Sequence, residues 1–155
     1  MDNPKVILKE TKTYGKGLFA KKPIKMGEII AELDGRIYKA EKCSLLLKDI
    51  ADHAVQFSQK KWRDSKGFAR YINHSCNPNC GIKGKFKIMA IRNIKKGEEL
   101  TFDYEMSEDS DWRMKCRCNK KNCRKIIGAF KNLPESIRKK YKNYISEWLI
   151  KKYHL

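Results

Sequence analysis

Short apolar runs, most of them preceded by a polar turn, follow one another along the first hundred residues. The runs that predict strands are VIL (6–8), LFA (18–20), IIA (29–31), KFKIMAIRNI (85–94) and the strand that follows the turn in KKGEELTFDYE (95–105). Gly15 and Gly17 mark a tight turn before the second of these runs. Short β-branched segments at such turn signals predict a mainly β fold with some helix, built from small sheets.

The C-terminal segment has a different period. Pro134 suits the first turn of a helix, and Glu135 beside it interacts favourably with the helix dipole. Large apolar or aromatic residues then recur at helical spacing, namely Ile137, Tyr141, Tyr144, Ile145, Trp148 and Leu149. We therefore predict one C-terminal amphipathic helix, from about residue 134 to 152, that caps the core. A shorter helix is predicted within residues 41–52.

Length and composition are those of one domain with one core, since the chain has 155 residues and is 41% hydrophobic. No apolar run approaches the roughly 20 residues that span a bilayer. The N-terminal stretch MDNPKVILKE has no apolar segment of the kind that a signal peptide needs. We therefore expect an intracellular protein without membrane contact. In such a compartment, six cysteines favour metal binding over a disulfide framework.

The formal net charge of +18 is unevenly distributed along the chain. The segment from Lys115 to the C-terminus holds thirteen Lys or Arg residues and two acids, whereas residues 97–112 hold seven acids and no base. A basic field of this kind is typical of proteins that contact nucleic acid or another polyanion. A solvated Lys-rich surface without a partner has the same composition, so charge alone does not decide.

Three cysteines lie close together in the polar loop MKCRCNKKNCRK, where Cys116, Cys118 and Cys123 form C-x-C-x-x-x-x-C. The loop has too few apolar residues to fold by burial, and thiolates suit tetrahedral Zn²⁺. A structural zinc site needs a fourth ligand. The candidates are Cys43, Cys76, Cys80, His53 and His74. Cys76 and Cys80 share the polar run RYINHSCNPNC (70–80), and spacing does not choose between them.

Four motifs occur in the order found in SET-domain lysine methyltransferases. RYINHSCNPNC resembles the R-F-I-N-H-S-C-x-P-N-C signature of that family, and GEELTFDY (97–104) resembles its G-E-E-L-T-F-D-Y strand. YGKGLFA (14–20) is similar to the glycine-rich start of the domain, and CRCNKKNCRKIIG (116–128) to the post-SET zinc segment. The resemblance covers about residues 5–130. It implies the SET fold, in which small β-sheets surround a pseudoknot.

The resemblance also implies a division of the chain and a reaction. The expected parts are a SET domain (5–112), a post-SET zinc segment (113–130) and a C-terminal helix packed on the same domain (131–155). SET enzymes transfer a methyl group from S-adenosyl-L-methionine to a lysine ε-amine. The implied substrate is a basic protein such as a histone tail. The implied location is the nucleus or chromatin in a eukaryote, and the cytoplasm or a host cell if the source is bacterial.

Site residues follow from the positions that match. Tyr104 is implied to be the catalytic tyrosine and to contact the cofactor. The other implied cofactor-binding residues are Lys16, Gly17, Leu18, Asn73, His74 and Ile127. Cys76 is implied to join Cys116, Cys118 and Cys123 around one structural zinc ion per chain. Phe102 stands where family members with room for a di- or trimethylated product carry Phe, and His53 falls near a pocket aromatic of the family.

The charge pattern then suggests partners. The acidic run surrounds Tyr104 in sequence, so we expect it to attract a basic peptide. The basic C-terminal segment is expected to contact the nucleic acid to which such a substrate is bound. The alternative function is a zinc-stabilised basic module that binds nucleic acid or chromatin without catalysis. The sequence does not define the oligomeric state.

Overall fold

The computed structural model describes residues 3–155, and its elements are short. The strands are β1 (Val6–Glu10), β2 (Lys16–Ala20), β3 (Ile29–Glu32), β4 (Arg36–Lys39), β5 (Val55–Ser58), β6 (Lys61–Asp64), β7 (Asn73–His74), β8 (Cys80–Lys83), β9 (Lys87–Ala90), β10 (Thr101–Phe102), β11 (Met114–Lys115) and β12 (Ile126–Ile127). The α-helices are α1 (Lys48–His53), α2 (Glu135–Lys140) and α3 (Glu147–Tyr153). Single 3-10 turns lie at Cys43–Leu45, Phe68–Tyr71, Tyr104–Met106, Phe130–Asn132 and Lys142–Tyr144. The mainly β class is thereby confirmed.

The strands form small separate sheets. The largest has the order β3-β9-β8-β10-β7, and a second has the order β4-β6-β5. β1 pairs with β2 and β11 with β12, both antiparallel. The main core contains fully buried aliphatic side chains from several of these strands, such as Leu18, Ile82 and Ile88. The apolar runs of the sequence therefore supply one shared core.

Strand β10 is inserted between β7 and β8, which are consecutive in the chain, and it runs parallel to both. The loop 75–79 that joins β7 to β8 is bonded to the inserted segment. The Ser75 N–H donates to the Phe102 carbonyl and the Asn79 N–H to the Thr101 carbonyl, each at 3.2 Å. The Asn79 side chain bonds the Glu99 carbonyl at 2.8 Å and the Thr101 N–H at 2.9 Å. The insertion of β10 between two consecutive strands corresponds to the pseudoknot that the resemblance implied.

Two similar turns set the approach to β3 and β10. Gly27 and Gly97 each adopt a φ of 88°, which a residue with a side chain rarely adopts. In both turns the following glutamate accepts a 2.7 Å hydrogen bond from the backbone N–H of the lysine three residues earlier. The recurrence of K-x-G-E in the sequence therefore reflects one turn used twice.

The prediction of one continuous C-terminal helix is wrong, because α2 and α3 are separated by extended residues. Ile145 has φ −93° and ψ 144°, and Ser146 has φ −55° and ψ 134°. The Ser146 N–H donates to the Met106 carbonyl at 2.9 Å, and Ser146 is 1% exposed. This tertiary bond requires the chain to leave the helix. No Pro or Gly marks the break in the sequence.

The two helices pack on the rest of the domain. Their apolar residues form a second core with the end of the SET-like region. Its buried members are Met106, Phe130, Leu133, Tyr141, Ile145 and Leu149. The Trp148 indole N–H also donates to the Ser107 carbonyl at 3.0 Å. Within residues 3–155, none of the helices combines the length and the apolar character that crossing a membrane requires.

Candidate active site

Tyr104 lies directly beyond the inserted strand β10, at the start of a 3-10 turn. Asp103 caps this turn, since its carboxylate accepts the Glu105 N–H at 3.2 Å. The Tyr104 backbone N–H donates to His74 Nδ1 at 3.2 Å, and the Tyr104 hydroxyl donates to the Ile72 carbonyl at 3.1 Å. The tyrosine is therefore held at both ends by the segment around β7.

A narrow cavity opens beside the Tyr104 ring. The Phe102 ring lies 4.9 Å and the Trp112 ring 6.1 Å from the ring of Tyr104, measured between centroids. Ile72 and His53 also line this cavity, and the role of His53 stays a prediction. We call it the aromatic channel.

The Tyr104 phenol is neutral across the physiological range. Burial is the main reason that its pKa is raised above the ordinary value, and the nearby Tyr14 and Glu99 add to the effect. A phenol of this kind is a poor proton acceptor for a neighbouring ammonium group. Its hydroxyl is suited to hold and orient a polar group in the channel.

A second, more polar cavity of about 830 Å³ lies on the other side of His74. Its lining includes His74, Thr101, Glu99, Tyr14 and Arg117. The His74 ring packs edge-on against the Tyr104 ring at 5.3 Å. Tyr104 lines the aromatic channel and His74 lines this second cavity, so the packed ring pair lies between the two. We call the second cavity the polar cavity.

Four cysteine sulfurs converge between the loop 75–79 and the polar loop near β11. The Sγ atoms of Cys76, Cys116, Cys118 and Cys123 all lie within 4.8 Å of one another. Around Zn²⁺, Zn–S bonds of about 2.3 Å place tetrahedral sulfurs about 3.8 Å apart, and the Cys76–Cys116 distance is 3.8 Å. Burial raises the pKa of the Cys76 thiol, so a thiolate there requires a cation. The donor set fits a closed, structural zinc site.

The other two cysteines lie elsewhere. Cys80 is fully buried in the main core, where its thiol donates to the Asn79 side chain at 3.3 Å. Cys43 is buried beside Glu108 and Ser110, and burial raises its pKa to about 12. The structure therefore groups Cys76, and not Cys80, with the cysteine loop.

A sequence profile of the SET domain matches residues 15–105, which is more than half of the chain. This chain belongs to the SET-domain family.

Relatives of this SET domain carry the name of one activity. The chain is 34% identical over 136 residues to Histone-lysine N-methyltransferase trr of Drosophila melanogaster, covering 77% of this chain and 6% of that protein. It is 30% identical over 158 residues to Histone-lysine N-methyltransferase, H3 lysine-36 specific, of Homo sapiens, covering 91% of this chain and 6% of that protein. The SET domain described here thus corresponds to a small part of these long proteins.

A solved structure is similar in fold. The crystal structure of KRYPTONITE in complex with mCHH DNA, H3(1-15) peptide and SAH aligns with a TM-score of 0.64 at 22% identity. The alignment covers 78% of this chain and 29% of that chain. It confirms the SET fold.

The residues implied to bind the cofactor are placed differently within this SET domain. His74 lines the polar cavity, whereas Leu18 is fully buried in the main core. Asn73 bonds the Lys16 carbonyl at 3.2 Å and the Glu99 carboxylate at 2.9 Å. A Cβ on Gly17 would lie 2.7 Å from that carboxylate, so a side chain there would force the carboxylate to shift. Lys16, Gly17 and Asn73 thus form the wall behind Glu99, and their contact with a cofactor stays a prediction.

Ile127, also implied to contact the cofactor, packs beside the zinc site. It is 1% exposed and clusters with Cys76, Cys116 and the half-buried Tyr104. Its strand partner is Met114 in the β11–β12 pair. Ile127 therefore packs against Tyr104 from the side of the β11–β12 pair. Its contact with a cofactor also stays a prediction.

Three residues of the site were missed by the sequence reasoning. Trp112, the last residue of the acidic run, walls the aromatic channel. Tyr14 and Arg117 line the polar cavity and join its two sides, since the Arg117 backbone N–H donates to the Tyr14 hydroxyl at 2.6 Å. Burial raises the pKa of Tyr14 to about 12. Two of them had a signal in the sequence: Tyr14 is an aromatic residue next to the glycine turn, and Trp112 is one next to the cysteine loop.

Arg124, next to the zinc ligand Cys123, binds two buried carboxylates. Its guanidinium lies 2.7 Å from Asp103 and 2.7 Å from Glu105. Glu105 also accepts the Gly128 N–H at 2.7 Å. These bonds tie the segment 124–128 to the residues on either side of Tyr104.

The expectation that the acidic run forms a negatively charged mouth is wrong. Asp103, Glu105 and Glu108 are buried, with 0%, 3% and 6% exposure. The remaining acids of the run are bonded within the domain: Glu98 to Arg92, Glu99 to Asn73, Asp109 to Lys152 and Asp111 to Ser44. The acids of the run thus pair with bases and hydrogen-bond donors of the domain itself. Asp52, which lies outside the run, is an exposed acid that lines the aromatic channel.

Proposed function

We propose that this SET domain transfers a methyl group from S-adenosyl-L-methionine to the ε-amine of a lysine in a basic protein. The observation that carries the proposal is the placement of the Tyr104–His74 pair between the aromatic channel and the polar cavity. Methyl transfer is an in-line displacement, which needs donor and acceptor on opposite sides of one narrow opening. The alternative, a binding module without catalysis, gives no reason for packed Tyr104 and His74 rings to line one cavity each.

The polar cavity fits the methyl donor. Its lining combines an imidazole, an aromatic ring and acidic groups, which is the mixture of apolar surface and a few polar groups that cofactor sites show. S-adenosyl-L-methionine bound there supplies an electrophilic methyl group on a sulfonium. Glu98 and Glu99, both in the lining, offer carboxylates to positively charged and hydroxyl groups of a ligand.

The aromatic channel fits an alkyl chain that ends in an amine. A lysine must lose its proton before it attacks, and its ordinary pKa is about 10.4. Apolar walls such as Phe102, Ile72 and Trp112 disfavour the ammonium form. Because the Tyr104 O–H donates to the Ile72 carbonyl, its oxygen lone pairs stay available to accept an amine N–H. Tyr104 therefore positions the nucleophile, and we assign it no role as a general base.

Phe102 supports a product with more than one methyl group. Its ring is 2% exposed, lies against Tyr104 and carries no hydroxyl that would retain a water molecule in the channel. His53, which lines the channel but has 42% of its side chain exposed, is placed to contact substrate at the opening. Di- or trimethylation is accordingly the expected outcome.

The proposed substrate is a histone or a histone-like basic protein. The relatives described above are named histone-lysine methyltransferases, and the KRYPTONITE complex contains an H3 peptide. A location at chromatin follows from that substrate. Which lysine is modified depends on contacts outside the two cavities.

The test incubates the protein with radiolabelled S-adenosyl-L-methionine and core histones, beside a whole-cell lysate as a broader substrate pool. Labelled protein is expected with the wild type. Tyr104→Phe, which keeps the ring and removes the hydroxyl, is expected to lose about 100-fold or more in rate through misplacement of the amine. Absence of label in histones and lysate alike would contradict the proposal and favour the binding module.

A contact with nucleic acid is proposed for a basic cleft beside α3. The cleft has a volume of about 640 Å³ and is lined by Lys61, Lys85 and Lys151 together with Phe57 and Trp148. Its one acid, Glu147, pairs with Lys151 at 2.6 Å, and Lys85 lies 5.5 Å from the Phe57 ring. Cationic side chains interleaved with aromatic rings suit phosphates and bases.

Two triple variants with equal charge loss locate this contact. Changing Lys61, Lys85 and Lys151 to Gln is expected to weaken duplex DNA binding and to reduce the slope of log K against log salt by about 2 to 3. The matched control changes Lys139, Lys140 and Lys142 to Gln. An equal effect of both triples would mean that only the overall field matters, and no effect of either would remove nucleic acid from the proposal.

A further inference from the structure

His74 lies between the zinc cluster and the catalytic tyrosine. Its Nε2 is 3.4 Å from Cys76 Sγ, and its Nδ1 is 3.2 Å from the Tyr104 backbone nitrogen. The His74 side chain is fully buried. One imidazole therefore contacts a metal ligand with one nitrogen and the catalytic segment with the other.

The hydrogen bonds fix where the ring proton sits. The Tyr104 backbone N–H can only donate, so Nδ1 must accept and cannot carry a proton. The neutral ring then carries its proton on Nε2, which faces the Cys76 sulfur. The Asp103 carboxylate lies 3.7 Å from Nδ1, too far to replace Tyr104 as its partner.

We propose that His74 is a positioning residue through which the zinc cluster orients Tyr104. The Nε2–H donates to the Cys76 sulfur and Nδ1 accepts the Tyr104 N–H, so one ring orientation satisfies both bonds. Donors to ligating atoms commonly tune metal affinity and hold ligands in place. This inference deepens the proposed methyl transfer and rests on it for its functional meaning, but its metal-side consequence is independent of activity.

A second link runs in parallel and supports the same coupling. The Arg124 backbone N–H points at the Cys76 sulfur from 3.4 Å, while its guanidinium holds Asp103 and Glu105. Cys76 thus has two nitrogen partners, and each belongs to a residue that also binds the segment 103–105. Zinc binding is therefore coupled to the position of Tyr104 by two routes, one through His74 and one through Arg124.

Two substitutions separate the halves of the His74 contact. In His74→Asn the amide oxygen stands near the position of Nδ1, which keeps the Tyr104 partner and removes the donor to sulfur. In His74→Gln the amide nitrogen stands near Nε2, which keeps the donor to sulfur and removes the Tyr104 partner. The probe is Zn²⁺ itself, measured by elemental analysis and by competition with a chromophoric chelator. The wild type is expected to hold about one zinc per chain.

His74→Asn is expected to bind zinc about 10- to 100-fold more weakly than the wild type, whereas His74→Gln stays close to it. Equal zinc affinity in all three proteins, or equal loss in both variants, would overturn the proposal.

Nitrogen-15 NMR of the imidazole gives a second readout in the wild type. The zinc-loaded protein should show the neutral ring with its proton on Nε2, and the Tyr104 amide should shift when zinc is removed. A proton on Nδ1 would contradict the assignment even in a fully active enzyme, so this failure is distinct from a failure of the methyl-transfer proposal.

Discussion

Among single residues, Glu108 is expected to make the free energy of unfolding depend on pH. It is buried, and its carboxylate accepts the Trp62 indole N–H at 3.2 Å and the Ser110 N–H at 3.0 Å. Burial is the main reason that its pKa is raised. Because the folded-state pKa exceeds the unfolded value, this group's contribution to stability is complete below the unfolded pKa and is lost as pH rises through the folded one.

The prediction compares the wild type with Glu108→Gln, which does not titrate. The difference in free energy of unfolding, wild type minus variant, should be most favourable to the wild type near pH 4 and should fall as pH rises toward 8. Denaturant unfolding at a series of pH values measures it. A difference that stays constant, or that grows with pH, would show that hydrogen bonds outweigh burial at this carboxyl.

Phe102 is expected to set the number of methyl groups. In Phe102→Tyr a hydroxyl enters the channel beside Tyr104, takes up space and can hold water where a methylated amine would need room. The ratio of trimethylated and dimethylated to monomethylated product should fall about 10-fold or more, which is the scale of discrimination by small groups in a pocket. Mass spectrometry of a peptide product measures the ratio. Phe19→Tyr, on the half-buried side of β2, is the matched control and should leave the ratio unchanged.

Single residues also show how far the sequence determines the site. The polar run identified His74 and two candidate cysteines, but spacing left Cys76 and Cys80 equal. Only the matched motif, and then the fold, separates them, because β8 turns Cys80 into the core. Trp112 stood out in the sequence only as an aromatic next to the cysteine loop, and its place on the channel depends on tertiary contacts such as the Asp111–Ser44 bond.

At the scale of elements, the break between α2 and α3 is a tertiary effect that can be tested with one residue. Ser146 has a φ of −55°, which proline adopts without strain, and Ile145 before it is extended as proline requires. Ser146→Pro therefore removes mainly the N–H that bonds the Met106 carbonyl. We expect a loss of about 1–3 kcal/mol in free energy of unfolding, because a buried carbonyl is left without its donor.

Ser146→Ala is the matched control for this change, since it removes the side-chain hydroxyl and keeps the N–H. Chemical denaturation of the three proteins gives the comparison. If Ser146→Pro is no less stable than Ser146→Ala, the bond to Met106 does not hold the break, and the weak helix propensity of the intervening residues would suffice to explain it.

The difference between local and tertiary contacts also decides which elements could be predicted from the sequence. Local signals placed the β1–β2 hairpin and both K-x-G-E turns, because their geometry depends on neighbours in sequence. The insertion of β10 between β7 and β8 depends on bonds from Asn79 to residues twenty or more positions away. The pairing of the acidic run with Arg124 and Lys152 is equally non-local. The hydrophobic periodicity of the sequence shows which face of a helix or strand is buried. It contains no information on which distant residue that face or its polar groups will contact.

For the whole molecule, the internal pairing of the acids changes how a basic substrate approaches. With a formal charge of +18 and no acidic mouth formed by the run 97–112, the domain as a whole repels a free basic peptide. Repulsion of this kind acts over the Debye length, which falls from about 30 Å at 0.01 M salt to about 8 Å at 0.15 M. Added salt should therefore raise kcat/KM for a free histone-tail peptide across this range.

A substrate wrapped in DNA should show the opposite trend. Its phosphates attract the same positive field and the basic cleft beside α3, so salt screens an attraction and lowers kcat/KM. Initial rates on a peptide and on nucleosomes that carry the same tail, measured in one salt series, test both signs at once. A fall for both substrates would mean that local acids such as Asp52 at the channel, rather than the net charge, control the approach of the peptide.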